Sequence, residues 1–350
     1  MPWIGRYFYF IASLFLTGYL ILVSRSILSP LLAAFILALV LNPLVKKLEK
    51  IKLPRLMSTI ITVVLFVLVI LILIGFFSSG VGNIDFQMGE WKSKLTLISG
   101  KLQNLMSDFF KVSEAQQTSL IDQSLTSFLK SGTTVINNTL SFTTNFISAF
   151  VLFILSLFFL LYYHRFFVSF LFQVVQTRYH SKLEKILLRI KSVVQHYIFG
   201  LSLIIIIVAF LNTMSLLILG IEHAFLFGTL AAVLTIIPYL GIAIGSLFPI
   251  IFAFATKDSL WYPFGVLCAF LFVQFLEGNF LTPNIVAKQV SINPFAAIVG
   301  LIVGGMLLGI VGIIFAVPIL AMLKVICDEV PALNPVGYLL GNPKDSTTKA

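Results

Sequence analysis

Of the 350 residues, 59% are hydrophobic and only 10% are charged, and the mean hydropathy is +1.07. Soluble domains carry roughly 25% charged residues, so a water-soluble fold is excluded. The net charge of +10 falls mainly in loops between apolar segments, which makes it a mark of membrane topology and argues for no nucleic-acid partner.

Charge-free intervals place the helices. Eighteen residues separate Arg6 from Arg25, twenty separate Arg25 from Lys46, twenty-nine separate Arg55 from Asp85 and thirty-five separate Lys288 from Lys324. About 20 apolar residues, rising 1.5 Å each, cross about 30 Å of hydrocarbon. Runs such as Ile60–Phe77 are apolar on every side, unlike the alternating strands of a barrel. In lipid only a helix satisfies such a backbone within its own segment. The fold class is therefore all-α: a polytopic membrane protein with about eight transmembrane helices, expected near 7–24, 27–44, 57–78, 141–163, 196–219, 224–255, 259–280 and 295–326. The first has no small-residue cleavage motif after it and reads as a retained span. The sixth and eighth are too long for one simple crossing and must tilt, extend or break. Cys268 and Cys327 lie in or beside spans and imply no disulfide framework.

Basic residues orient the chain. Lys46, Lys47, Lys50, Lys52 and Arg55 face a single Glu49 in the 45–56 loop, and six cations face Glu184 in 164–195. Both loops, and with eight spans both termini, are expected in the cytoplasm. Residues 81–140 are then external. There Leu95, Ile98, Leu102, Leu105 and Phe109 step by three and four, and Ile121, Leu125 and Phe128 resume the rhythm. That period predicts amphipathic helices. Leu183, Ile186, Leu187, Ile190, Val193, Val194 and Tyr197 share it, and the expected place for that stretch is the anionic membrane interface.

The polar punctuation lies in the last third. Pro238-Tyr239-Leu240-Gly241, Gly245 and Pro249 interrupt the sixth span. Proline removes a backbone donor, and nearby glycine lowers the cost of unwinding. Such breaks are tolerated only inside protein or beside a wet cavity, where they expose groups able to bind solutes or ions; a proline-kinked packing helix is the alternative. Glu277 follows eighteen uncharged residues, Ser259 to Leu276, and is the only carboxylate in the long apolar segments. It is expected at or near one end of the hydrocarbon layer, followed by the helix-weakening Gly278 and Pro283. Gln274, one turn earlier, and Asn279 and Asn284 beyond it offer neutral hydrogen bonds. The eighth span carries Asn293-Pro294, then Gly300, Gly304, Gly305, Gly309, Gly312 and Pro318. On a continuous helix these fall on two small-residue faces, each open to a close helix neighbour.

Pro238-Tyr239-Leu240-Gly241, Glu277-Gly278-Asn279 with Pro283, Asn293-Pro294 and Gly304-Gly305…Gly309…Gly312…Pro318 together resemble the autoinducer-2 exporter family, the PerM-type permeases. Leu41-Asn42-Pro43-Leu44 resembles that family's Asp-Pro variant before the basic loop. The resemblance covers about residues 7–330. It departs at Gly200-Leu201, where Gly-Gln is frequent, and at His164, where an Asp is frequent. It implies a secondary transporter in the cytoplasmic membrane of a bacterium, with cargoes ranging from a signalling furanone and indole-like molecules to sodium or lithium exchanged for protons.

On this reading residues 1–80 hold three N-terminal spans, 81–140 the external helices, 141–195 the fourth span and its basic linker, 196–330 a transport core with re-entrant segments, and 331–350 a cytoplasmic tail. The expected site comprises Glu277, Gln274, Asn279, Asn284, Pro283, Pro238, Tyr239, Gly241, Asn293, Pro294, Gly304 and Gly305, with Glu277 binding the coupling proton or cation. A small neutral or cationic solute, the lipid bilayer and further copies of the chain are the expected partners; no cofactor or metal is called for. No His-Glu-x-x-His motif, no paired intraspan aspartates and no Walker A lysine are present, so enzyme is not the expectation. A non-transporting scaffold is the alternative.

Overall fold

The computed structural model of the chain describes residues 3–82, 139–237, 240–257, 259–287 and 292–342. Nearly all of the region 81–140, expected to be external, as well as Pro238, Tyr239 and the last residues of the tail, lie outside the described residues.

The described residues form twelve α-helices and no strand. The N-terminal bundle holds α1 (Trp3–Val23), α2 (Arg25–Lys50), α3 (Arg55–Gly82) and α4 (Thr139–Tyr162). Ala34, Ala38 and Val45 of α2 bury against Val63 of α3 and Leu157 and Leu161 of α4. Arg55 fixes the corner between α2 and α3. Its Nε donates to the Tyr162 carbonyl at 2.6 Å and its Nη2 to Leu161 at 2.8 Å, so a cation caps the negative end of α4. Beyond Tyr162 the chain turns by 68° into α5 (His164–Val174).

The long α6 (His180–Ile218) has 39 residues. At 1.5 Å per residue it reaches about 58 Å, nearly twice the hydrocarbon thickness. The amphipathic stretch 183–197 is continuous with the fifth span, so it does not lie flat in the interface. Its apolar stripe has protein to cover it instead: Val194 packs with Ile36 of α2 and Met322 of α11.

The two expected spans that are too long for one simple crossing are hairpins. The sixth divides into α7 (Ala224–Leu234) and α8 (Leu240–Thr256), the eighth into α10 (Pro294–Leu308) and α11 (Ile310–Glu329). Between them α9 (Trp261–Leu276) runs on through two π turns, Glu277–Leu281 and Pro283–Ala287. The short α12 (Asn334–Leu340) closes the described chain. Five helices among the described residues are long and apolar enough to cross a bilayer, and six if the bent α4–α5 pair is one crossing. Large apolar side chains such as Leu68, Ile72, Ile206, Phe210 and Phe272 are exposed along these helices. A soluble monomer does not expose so much apolar surface; lipid is the solvent for it.

Prolines inside helices leave carbonyls without a partner, and α6 answers one. Pro43 has no N–H for the Leu39 carbonyl four residues earlier, and Gln195 Nε2 donates to that oxygen at 2.7 Å. On the same side of the molecule Glu329, at the end of α11, pairs with Lys185 at 2.9 Å and Arg189 at 2.7 Å. The base of the second hairpin is thereby tied to α6.

Candidate functional site

Pro283 cannot donate to the Asn279 carbonyl, and its ring crowds the preceding turn. The helix does not stop there. It widens into i→i+5 bonding, which absorbs the misfit and keeps the segment helical through Ala287. Glu277 is therefore well inside a helical run of 26 residues, Trp261–Val286, and not at its end. The Gly200 contact fixes the register: a Cβ there would sit 3.1 Å from Val286 Cγ2 and 3.3 Å from the Ile285 carbonyl oxygen. On the other side of Glu277, Val273 buries in one cluster with Ile204, Val208 and Ala232. Glu277 thus stands level with the middle of α6, roughly 20 Å along the helix from Lys191. The carboxylate expected at or near one end of the hydrocarbon layer thus lies within a continuous helical run packed beside α6.

Two neutral donors hold the carboxylate. Gln274 Nε2 donates to Oε2 at 3.0 Å, and the Thr282 hydroxyl donates to Oε1. No basic side chain among the described residues pairs with Glu277. Gln274 Oε1 is buried and accepts no hydrogen bond among the described residues. Buried polar atoms are nearly always bonded. The site therefore presents unused lone pairs, those of the carboxylate and of one amide oxygen. Such lone pairs can accept a proton, a cation or the donors of a neutral group.

The first hairpin brings its tip to the same level. At Gly228 a Cβ would lie 2.3 Å from Thr213 Oγ1, so α7 runs with its backbone against α6. At Gly241 it would lie 1.9 Å from the Leu234 carbonyl oxygen, and at Gly245 it would lie 2.7 Å from Ala231 Cα. Only glycine lets the two arms approach so closely. From Gly228 to Leu234 is about 9 Å of helix, which takes the reversal from the level of Thr213 to that of Val208. Asn212 Oδ1 and Thr213 Oγ1 are also buried without a hydrogen-bond partner among the described residues.

The second hairpin turns at Gly309, whose φ of 65° and ψ of −144° suit glycine alone. A Cβ on Gly304 would lie 2.6 Å from the Gly312 carbonyl oxygen, and one on Gly312 would lie 1.9 Å from that of Gly304. The glycines read as two faces of one helix are thus the facing seams of two antiparallel arms. Ser29 Oγ donates to the Leu308 carbonyl at 3.1 Å and ties the tip to α2.

Of the residues expected in the site, Glu277 and Gln274 meet directly. Asn279 and Asn284 are exposed and donate to their own helix, to the Phe275 and Phe280 carbonyls at 2.9 and 2.8 Å. Pro283 shapes the π turns. Asn293 caps α10, accepting from Ala296 N at 2.7 Å with Pro294 in the first turn, and its amide donates to Leu339 at 2.6 Å. Gly241, Gly304 and Gly305 close the hairpins; Pro238 and Tyr239 lie outside the described residues. Thr282 was not expected. On an α-helix a residue five positions on points away, and only the wider π turn carries it back to Glu277.

A family description, AI-2E family transporter, matches residues 9–332. The putative transport protein YueF of Bacillus subtilis (strain 168) is 30% identical over 309 residues, covering 84% of this chain and 82% of that protein. The AI-2 transport protein TqsA of Escherichia coli (strain K12) is 24% identical over 323 residues, covering 91% of this chain and 90% of its own. The chain belongs to the AI-2E family of transporters: it is a multi-pass membrane protein of a transporter and permease class.

Proposed function

We propose that the chain moves a small neutral or singly cationic solute across the cytoplasmic membrane of a bacterium, with Glu277 taking up the coupling proton or cation. The observation that carries this reading is a carboxylate inside a long apolar helical run, held among the described residues only by the neutral donors Gln274 and Thr282. An ionised side chain at the centre of a span costs about 2.5–3.5 kcal/mol on insertion scales, and a purely structural role gives no return on that cost. A multiply charged anion entering here meets a carboxylate with no cation beside it, so the site favours the opposite charge or none. AI-2, the cargo in the name of the Escherichia coli relative, is one candidate.

The path runs beside Glu277 between the tip of the α7–α8 hairpin and the π turns, with the α10–α11 hairpin as the facing wall. Asn279, Asn284, Asn293 and the hairpin glycines act by shaping this wall. Both termini and both basic loops face the cytoplasm on this reading, and the working unit is a homo-oligomer. The test is a counterflow screen in proteoliposomes with labelled AI-2, indoles, sodium and lithium, repeated with an imposed pH gradient. Flux that ignores both the gradient and the Glu277→Gln exchange removes the coupling role. An absence of flux for every cargo, with the phenotype of the strain unaltered by the same exchange, favours a scaffold.

A further inference from the structure

The cations around the α2–α3 corner do more than mark one side of the membrane. Lys46, Lys50 and Arg55 join His164, Arg165 and Ser169 around a cavity of about 620 Å³, whose wall is completed by Glu49 and Val168. Four cations and one carboxylate line it, and the carboxylate is already engaged. Glu49 Oε1 meets Arg55 Nη1 at 3.4 Å, and Oε2 meets Arg165 Nη2 at 3.2 Å. Lys46 and Lys50 have no ion-pair partner among the described residues. The imidazole of His164, half-buried at the same place, is held below its ordinary value of 6.5, by burial first and then by Lys46, Arg55, Lys191 and Arg165. The cavity is therefore positive and short of an anion.

Its position says which anion. The 68° bend at Tyr163 turns α5 away from the direction of α4. Phe166, Phe167, Phe170, Leu171 and Val174 are exposed along one side of α5, while Arg165, Val168 and Ser169 on the other side line the cavity. A short helix divided in this way suits the membrane surface, with its apolar side toward acyl chains and its polar side toward the headgroups. Basic pockets at that level between membrane helices suit phosphate-bearing lipids.

We propose that this cavity binds the phosphodiester headgroup of an anionic membrane lipid, with Lys46 and Lys50 as the free cations and the acyl chains lying along Phe166, Phe167 and Phe170. The chemistry recognised is a phosphate oxyanion, which free inorganic phosphate shares. The apolar side of α5, opposite the cavity, favours the lipid, because a free ion has no use for it. The site is separate from Glu277 and holds or fails independently of the transport reading.

Native mass spectrometry of the purified full chain, titrated with phosphatidylglycerol and with phosphatidylcholine, tests the proposal. The wild type is expected to retain phosphatidylglycerol selectively. Lys46→Gln with Lys50→Gln, neither of which supports a bond in the fold, should weaken it about thirtyfold, the equivalent of about 1 kcal/mol per lysine. The control, Lys47→Gln with Lys182→Gln, removes as much charge outside the cavity and should leave the affinity nearly unchanged. Equal binding of the two lipids overturns the proposal, as does an equal loss in the control pair. Displacement of phosphatidylglycerol by millimolar inorganic phosphate would assign the cavity to free anions and overturn the lipid.

Discussion

Glu277→Gln removes the charge at nearly constant volume, and the local hydrogen bonds can re-form around it. The new amide oxygen accepts from Thr282. Its nitrogen faces the Gln274 side chain, whose unbonded Oε1 becomes the acceptor once that amide rotates. The exchange relieves an intraspan charge that costs up to about 2.5–3.5 kcal/mol and gives up the charged part of two hydrogen bonds, the difference between a charged and a neutral bond, about 1–1.5 kcal/mol each. These nearly cancel, so melting in detergent should shift by no more than a few degrees. Transport should respond very differently, since an amide takes up neither proton nor cation at this site. Flux driven by a pH gradient in proteoliposomes should fall at least about tenfold, the equivalent of about 1.4 kcal/mol, and the residue of it should be blind to the gradient. Thr282→Val, which removes one donor and keeps the carboxylate, should reduce flux less. A Glu277→Gln protein that responds to the gradient as the wild type does would refute the reasoning.

Three further perturbations test the frame around the site. Gly312→Ala places a Cβ 1.9 Å from the Gly304 carbonyl oxygen, a backbone atom with nowhere to go, and should cost at least about 1–3 kcal/mol in thermal melts; Gly75→Ala, with nothing within 4 Å, should be neutral or stabilising. Gln195→Leu orphans the Leu39 carbonyl and should cost about 1–3 kcal/mol, and adding Pro43→Ala should recover most of it by restoring the N–H at position 43. His164 has a folded-state value lowered from 6.5, so just below 6.5 the unfolded chain binds more protons than the folded one. Stability should rise as pH rises through that window and level off above it, and His164→Gln should flatten the rise.

The spans were readable because hydrocarbon imposes a length and charges bound it: α2, α3 and α4 fall within a few residues of the intervals between Arg25, Lys46, Arg55 and His164. Whether a long apolar segment crosses once or doubles back is a different matter. Residues 295–326 have the same composition either way, and the choice rests on whether Gly304 and Gly312 lie against each other's carbonyls. That contact is made across a turn and does not appear in the angular spacing along a helix. The stripe on 183–197 was equally visible, but periodicity cannot say whether lipid, α2 or α11 covers it. Gln274 shares a helical face with Glu277 by spacing alone; Thr282 joins them only because Pro283 forces a π turn.

The π turns also offer a route by which the proposed binding at Glu277 would travel. Their i→i+5 bonding is an uncommon geometry, sustained here by Pro283 on one side and by the grip of Gln274 and Thr282 on the carboxylate on the other. Neutralising Glu277 weakens that grip, and a π turn that tightens toward α geometry rotates the residues beyond it. Ile285 and Val286 are those residues, and they lie against Gly200 of α6. If the segment moves against α6 in each cycle, a methyl group at position 200 obstructs it: the Cβ of Gly200→Ala sits 3.1 Å from Val286 Cγ2 and 3.2 Å from Ile285 Cγ2. Those contacts are tight but involve side-chain atoms able to give way, so the static fold should lose no more than about 1 kcal/mol. Flux should fall several-fold beyond that loss. Wild-type flux in Gly200→Ala, measured beside an unchanged melting curve, would mean that the π turns are fixed and that the coupling leaves Glu277 by another route.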